Sequence, residues 1–247
     1  MAHRTLKSLI VGVALAVLAT PAAVAGPFVF SGGDPGAGPL APTPNSDAAA
    51  AAFDAATPGL GLLTFTGLPA GLVIDNSFLP LGGGAFLAQF GPGQASIEGP
   101  LGNVITGYNT TSPLSLGNRF VQFSPLGGPV FAPMTFLFST PVNAFGAYFT
   151  GVGTASGTLH LRYFDFAGGG FQNLVIPGDQ LGGALFFGFV DPGASIFGVQ
   201  LQLEGASIGD IYGVDDVRYG TVIPEPSTMA LVALGLLGLR RRQQRRG

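Results

Sequence analysis

The sequence lacks cysteine and tryptophan and has few charges, which make up 9% of its 247 residues. Without cysteine there are no disulfides, thiolate metal sites or cysteine nucleophiles. Histidine is nearly absent too, with His160 the one such residue beyond position 25. It lies between Leu159 and Leu161 in an alternating run, so a strand would place it beside Arg162 on a polar face. We expect a surface histidine there, rather than a member of a Ser-His-Asp triad or of a multi-histidine zinc site.

Basic residues are scarce in the middle of the chain. Arg4 and Lys7 lie near the start of the sequence and five arginines lie at its end. The segment between them contains three arginines and 12 of the 13 acidic residues. Nucleic-acid binding requires clustered Lys and Arg, and we exclude it for this chain. With 41 Gly and 20 Pro, the middle disfavours long helices and favours short strands joined by tight turns.

Residues 1–25 have the organisation of a secretory signal peptide. Two basic residues precede an apolar run at 9–19, and Ala23 and Ala25 are small residues of the kind that signal peptidase accepts. A retained anchor is the alternative, but 11 residues at 1.5 Å each are too short for the ~30 Å core of a bilayer. We predict cleavage before Gly26.

Residues 221–247 form a second terminal signal. Pro224, Glu225 and Pro226 come first, and the segment 229–239 is wholly apolar or glycine. The two prolines disfavour a helix that runs through the triplet. The apolar segment after the triplet predicts a short hydrophobic helix that starts beyond it. Basic residues next to such a helix stay cytoplasmic and halt translocation. Here these are Arg240, Arg241, Arg242, Arg245 and Arg246.

This order of triplet, apolar segment and arginine tail over residues 222–246 resembles the PEP-CTERM sorting domain of Gram-negative bacteria. The resemblance implies that an integral-membrane peptidase, exosortase, recognises Pro224-Glu225-Pro226. It also implies a transient stay in the inner membrane, followed by the cell surface or the extracellular space. Members of the family are typically associated with extracellular polysaccharide and biofilm.

Residues 26–59 precede the main body. Gly, Pro and Ala dominate positions 26–44 without periodicity, which predicts a flexible or loosely packed arm. The alanine-rich segment 45–59 predicts a short helix, capped by Asn45 or Ser46 and docked onto the body through Phe53.

Residues 60–220 show period-2 alternation, notably at 145–152, 158–164 and 197–204, which predicts strands with one buried face. In the last run the pattern points Phe197 and Val199 inward. Glycine-rich turns, such as that at 81–84, separate the runs. We predict an all-β fold, an antiparallel β-sandwich of jelly-roll or lectin-like type with one short N-terminal helix.

Parts of this body also resemble the ectodomains that often precede PEP-CTERM signals, over 46–71, 140–152, 186–203 and 211–220. Such ectodomains are similar to lectin-like sandwiches, some of which hold calcium. Relatives often carry an acidic residue after the phenylalanine of the first strand, where this chain has Thr66.

The pair Asp215-Asp216 is the candidate site for a metal ion. In a regular strand Asp215 shares a face with Val217 and Tyr219, and an inward carboxylate needs hydrogen bonds, a partner or a cation. Calcium at Asp215 is one hypothesis, and a carboxylate that accepts backbone N–H bonds is the other. The same alternation pairs Asp216 with Arg218 at the surface.

We expect no catalytic activity and no other cofactor, because most acidic residues stand in turn sequences. The favoured hypothesis is a noncatalytic protein of the cell surface or matrix. A carbohydrate-binding module is the alternative, although five Tyr and no Trp offer no obvious platform for sugar stacking. A glycoside hydrolase comes third, since paired carboxylates occur in almost any acidic chain.

Overall fold

The computed structural model describes residues 26–89, 94–99, 101–110, 117–124, 133–155, 157–205 and 210–222. The predicted signal peptide, the sorting triplet, the hydrophobic C-terminal helix and the arginine tail lie outside these residues. Within the described ranges, no helix is long and apolar enough to cross a bilayer. The elements found there are β1 Phe28–Pro35, α1 Pro44–Ala56, β2 Gly61–Leu63, β3 Leu72–Ile74, β4 Ser77–Gly82, β5 Ala85–Gln89, β6 Gln94–Glu98, β7 Phe120–Ser124, β8 Met134–Val142, β9 Ala144–Thr150, β10 Thr158–Asp165, β11 Gly170–Ile176, β12 Gly183–Val190, β13 Ile196–Glu204 and β14 Tyr212–Gly220.

The strands form two antiparallel sheets. Seven strands of the first run in the order β1-β12-β9-β14-β7-β6-β3, and β2 is an eighth strand paired to β14. The second sheet has six strands in the order β11-β10-β13-β8-β5-β4. Alternate side chains of both sheets enter one apolar core, rich in Phe, Leu and Val. This arrangement confirms the predicted antiparallel β-sandwich.

The run at 158–164 folds as its alternation predicts. Leu159, Leu161 and Tyr163 are buried in the core, while His160 and Arg162 lie on the outer face of β10. A glycine turn at 82–84 joins β4 to β5, and all three of its residues have positive φ, a region that favours glycine.

The helix α1 covers the outer face of the first sheet and forms a second, smaller core there. Phe53 is fully buried over Gly146 of β9 and Gly188 of β12, which are register partners. A Cβ at either glycine would approach the Phe53 ring to 3.2 Å or less. Because of this layer, β9 is buried on both faces. The prediction of a single buried face for 145–152 is therefore wrong.

The segment predicted to be a flexible arm contains β1, which pairs along its whole length with β12. The helix begins at Pro44, and its N-cap residue, Thr43, makes no side-chain cap hydrogen bond. The first free N–H groups are bound instead by Asp34 of β1, whose Oδ2 accepts from the N–H of Ser46 at 2.8 Å. The predicted caps, Asn45 and Ser46, therefore donate hydrogen bonds instead of accepting them. The residue that caps the helix is Asp34, which lies on another element.

Candidate functional site

The sequence-predicted residue Asp215 lies in the middle of β14 and is fully buried. Its Oδ2 accepts hydrogen bonds from the N–H of Thr110 at 2.8 Å and from the Thr110 hydroxyl at 3.0 Å. Its Oδ1 is buried and has no hydrogen-bond partner among the described residues, and the same holds for Oδ1 of Asn109. The Asp215 carboxylate is therefore only half satisfied.

Burial raises the pKa of Asp215 to about 7, and the negative charge of Asp216 adds to this effect. The hydrogen bonds from the N–H and hydroxyl of Thr110 and from the N–H of Asp216 act in the opposite direction but do not outweigh burial. Burial therefore favours the neutral form of this carboxyl to a higher pH than in an exposed aspartic acid.

A β-bulge separates Asp215 from Arg218. The register of β14 against β9 shifts between these two residues, and Asp216 adopts a positive φ of 47°. Asp216 is buried, and the Arg218 Nε instead donates to Oδ1 of Asp54 at 2.7 Å. The predicted surface pair between the Asp216 and Arg218 side chains is therefore wrong, because the bulge changes the faces that follow it.

Asp215 is the sequence-predicted ligand for calcium, an ion that takes six to eight oxygen ligands. In the described part of the chain, no group of three or more His, Asp or Glu side chains is placed to hold a metal ion.

Other buried carboxylates hold loops in place. Asp210 accepts from the N–H groups of Gly153 and Ala155 and from the Thr154 hydroxyl. Asp191 accepts from the hydroxyl of Tyr163 at 2.9 Å. These hydrogen bonds give both carboxylates a structural role.

The outer face of the second sheet carries a network of polar side chains that includes His160. Arg162 donates to Oε1 of Gln202 at 2.6 Å, to Oε1 of Glu204 at 2.5 Å and to Oδ1 of Asn173 at 3.2 Å. The two ring nitrogens of His160 lie 3.1 Å from Asn173 Oδ1 and 3.4 Å from Glu204 Oε2. The expectation of a surface histidine beside Arg162 is thus confirmed.

One end of the same face carries four phenylalanines, which we call the aromatic cluster: Phe164, Phe166, Phe171 and Phe197. Phe166, Phe171 and Phe197 are 60%, 77% and 39% exposed. Ring centroids lie 4.7 Å apart for Phe164–Phe166, 4.8 Å for Phe164–Phe171 and 5.4 Å for Phe166–Phe197, all edge to face. The cluster lines a shallow cavity of about 220 Å³.

A β-bulge and a buried carboxylate place the aromatic cluster. Between β10 and β13 the register passes from Tyr163–Val199 to Asp165–Ile196, so two residues of β13, Phe197 among them, lie opposite one of β10. The extra residue turns Phe197 outward, and the prediction that it points inward is wrong. Alternation cannot reveal such a shift, since Val199 and the residues after it keep the predicted faces.

Asp165 anchors the loop that carries Phe166. Its Oδ1 accepts from the N–H of Ala167 and of Ser195, both at 2.9 Å, and its Oδ2 accepts from the N–H of Gly168 at 2.7 Å. The loop after β10 is thereby tied to the segment that leads into β13. The signal in the sequence was the segment 164–171, in which three phenylalanines flank a run of glycines.

The end of the described chain is fastened to the sandwich. Asn143 accepts from the N–H of Val222 at 2.7 Å and donates to its carbonyl at 2.8 Å. The Thr221 hydroxyl donates to the carbonyl of Pro141 at 3.0 Å. The folded body therefore extends to Val222, two residues before Pro224.

Several solved structures are similar to this chain, all at low identity. An arabinose-bound GH51 α-L-arabinofuranosidase matches at 12% identity over 66% of this chain and 26% of its own, with a TM-score of 0.41. The K1 cleaved adhesin domain of Lys-gingipain from Porphyromonas gingivalis W83 matches at 11% identity over 62% of this chain and 99% of its own, with a TM-score of 0.36. The family 22 carbohydrate-binding module of Clostridium thermocellum Xyn10B matches at 15% identity over 57% of this chain and 89% of its own, with a TM-score of 0.32. The chain thus spans about a quarter of the arabinofuranosidase, and these likenesses are too distant to carry an argument about function.

No curated protein matches the chain. The C-terminal region gives a definite assignment, since residues 222–246 match the family described as the PEP-CTERM protein-sorting motif. This match confirms the resemblance expected from the sequence and implies export with membrane-associated sorting. The chain therefore carries a PEP-CTERM sorting motif in its C-terminal region, which starts two residues after the last described strand of the β-sandwich.

Proposed function

We propose that this chain is a noncatalytic protein of the cell surface or extracellular matrix, delivered there through its C-terminal signal and associated with exopolysaccharide or biofilm. The match of residues 222–246 to the sorting motif is the observation that carries the proposal. In this role, signal peptidase removes residues 1–25. An exosortase-type peptidase then acts at Pro224-Glu225-Pro226 while the segment 229–239 lies in the inner membrane.

The polar groups of the body support a noncatalytic role. His160 lies on a sheet face between Asn173 and Glu204, and Asp191 and Asp210 serve as hydrogen-bond acceptors for neighbouring segments. A hydrolase would need two carboxylates facing a common cleft. Calcium at Asp215 remains a hypothesis that a chelator can test.

The proposal is tested by following the protein in a strain that carries an exosortase and in the same strain without it. We expect release to the surface, with loss of the tail, only where the peptidase is present. Mass spectrometry of the surface form shows whether the C-terminal tail has been removed. Residues 229–247 still attached to the surface protein would show that the tail is a plain membrane anchor.

The alternative function, a carbohydrate-binding module, is favoured by a specific observation that the sequence did not reveal. The aromatic cluster exposes three phenylalanine rings beside a polar network on one open sheet face.

A further inference from the structure

We infer that the aromatic cluster and the polar row beside it form a binding face for a neutral polysaccharide chain. The polar row consists of Asn173, Arg162, Gln200 and Thr135, which are neighbours across β11, β10, β13 and β8. The inference deepens the proposed noncatalytic function and rests on it for the setting outside the cell.

The aromatic and polar rows lie side by side on the sheet. Phe164 pairs with Phe171 across β10 and β11, and Arg162 pairs with Asn173 two residues further along. Two residues of a strand span about 6.6 Å, so the rows are about one sugar ring apart. A pyranose stacked on the aromatic row would thus direct its hydroxyl edge toward the polar row.

The rings are held in place before any ligand arrives. Phe164 contacts both Phe166 and Phe171 edge to face, and Phe166 contacts Phe197 in the same way. The loop of Phe166 is further fixed by the three hydrogen bonds that Asp165 accepts from backbone N–H groups. Little side-chain entropy remains to be lost when a ligand binds, which favours affinity.

The polar row is close to neutral in charge. The guanidinium of Arg162 is paired with Glu204 at 2.5 Å. Gln200 and Asn173 contribute amides that both donate and accept hydrogen bonds. An uncharged ligand covered with hydroxyl groups matches this row better than an anionic one, for which a free cationic group would be needed.

The exposed apolar area of the cluster is below that of a standard protein interface. At roughly 200 Å² per phenylalanine side chain, the three exposed rings offer roughly 350 Å². A standard protein interface buries about 800 Å² on each partner, of which about 450 Å² is apolar. The cavity of about 220 Å³ is also below the roughly 300–1,000 Å³ of sites that enclose a small molecule. One ring of a chain that crosses the open face fits these dimensions.

The test uses the full-length chain, purified in mild detergent, in affinity electrophoresis through gels that contain one polysaccharide each. The neutral probes are xylan, mixed-linkage β-glucan, galactomannan and dextran, and the anionic probes are alginate and hyaluronan. We expect retardation by at least one neutral probe. Phe171→Ala and Phe166→Ala should each weaken that binding about tenfold, because each removes an exposed stacking ring. Gln200→Ala should weaken it less.

Phe28→Ala is the matched control, because Phe28 is 55% exposed on β1 of the other sheet. This variant should bind as the wild type does, and all variants should keep the wild-type melting temperature. If Phe171→Ala unfolds the protein, Phe166→Ala decides the outcome.

Three results would overturn the inference. These are retardation by no neutral probe, binding that survives both phenylalanine variants, and wild-type oligomers that Phe171→Ala dissociates. The chain length of the bound polysaccharide is measured after incubation. Shortening would refute the noncatalytic proposal while leaving the binding face intact, so the two failures are distinguishable.

Discussion

Asp34 caps the helix that begins ten residues after it: its Oδ2 accepts from the N–H of Ser46 at 2.8 Å and from the Ser46 hydroxyl at 2.7 Å. Its Oδ1 accepts from the N–H and the side-chain amide of Asn45. One carboxylate on an edge strand thus fixes the start of the helix that covers the first sheet. Burial by itself would raise the pKa of Asp34, but these hydrogen bonds outweigh it and hold the pKa below its usual value.

Replacing Asp34 by alanine is expected to lower the free energy of unfolding by about 1–3 kcal/mol, because buried donors lose their acceptor. Urea unfolding at pH 7 measures this. Since the pKa is depressed in the folded state, the contribution is present above an unfolded pKa of about 3.9 and fades as the pH falls below it. Asp75→Ala, at an exposed position, is the control and should be close to neutral. An equal loss in both variants would contradict the capping role.

Phe53→Ala is expected to cost about 3–5 kcal/mol, because the ring fills the space above two paired glycines and contacts Phe30 and Phe186 at centroid distances of 5.5 Å. Circular dichroism melting provides the measurement. Phe53→Leu should restore part of the loss, since it refills some of the volume. A cost near zero would mean that the helix does not depend on this contact.

Asp215→Asn should become more stable relative to the wild type as the pH rises from 5 to 8. The folded pKa of about 7 lies above the unfolded value of about 3.9, so the folded state retains a proton that the unfolded state has released. Wild-type stability from this group is therefore full below pH 4 and is lost as the pH rises through 7, by up to about 1.4 kcal/mol per unit. Melting curves across this pH range test the difference. A constant gap between variant and wild type would contradict the raised pKa.

A chelator should leave the wild-type melting temperature unchanged, because the Asp215 carboxyl already accepts two hydrogen bonds from Thr110 and burial favours its neutral form. Thermal melts with and without EDTA, followed by added calcium, measure this. A drop that calcium reverses, and that Asp215→Asn abolishes, would establish a calcium site instead.

Replacing Pro224, Glu225 and Pro226 with alanine is expected to leave export intact and to keep the protein in the inner membrane with its tail attached. Proline fixes φ and disfavours helix at the preceding residue, so we expect the triplet to be recognised as an extended segment, which alanines would not reproduce. Membrane fractionation with mass spectrometry is the measurement. Alanine at Gln243 and Gln244, within the arginine tail, is the control. Normal release of the triplet variant would contradict recognition at this site.

The sequence predicted what depends on local patterns. The alternation of β10 placed Leu161 inward and Arg162 outward, and the glycines of 81–84 marked a turn, because strand period and positive φ are properties of adjacent residues. Longer-range packing was not accessible in this way. The burial of Tyr148 on the outer face of β9 depends on a helix about a hundred residues earlier in the chain, whose Asp47 accepts a hydrogen bond from the Tyr148 hydroxyl.

The candidate binding face likewise combines residues that the sequence reveals with packing that it does not. Each phenylalanine of the aromatic cluster was visible in the sequence, but their meeting on one surface requires the bulge at Phe197 and the loop anchored by Asp165. One inserted residue reverses the faces of a strand locally, and composition contains no trace of it.

The position of β14 sets an order of events for this protein. It is the last strand of the described residues, yet it lies between β9 and β7 in the interior of the first sheet. On the proposed export route, that sheet remains in two halves with open edges until residues 212–220 have crossed the inner membrane. The sandwich could not close before then, so the chain would travel outward unfolded. The described body reaches Val222, two residues before Pro224, so on the proposed sorting route folding would be completed close to the site at which the exosortase acts.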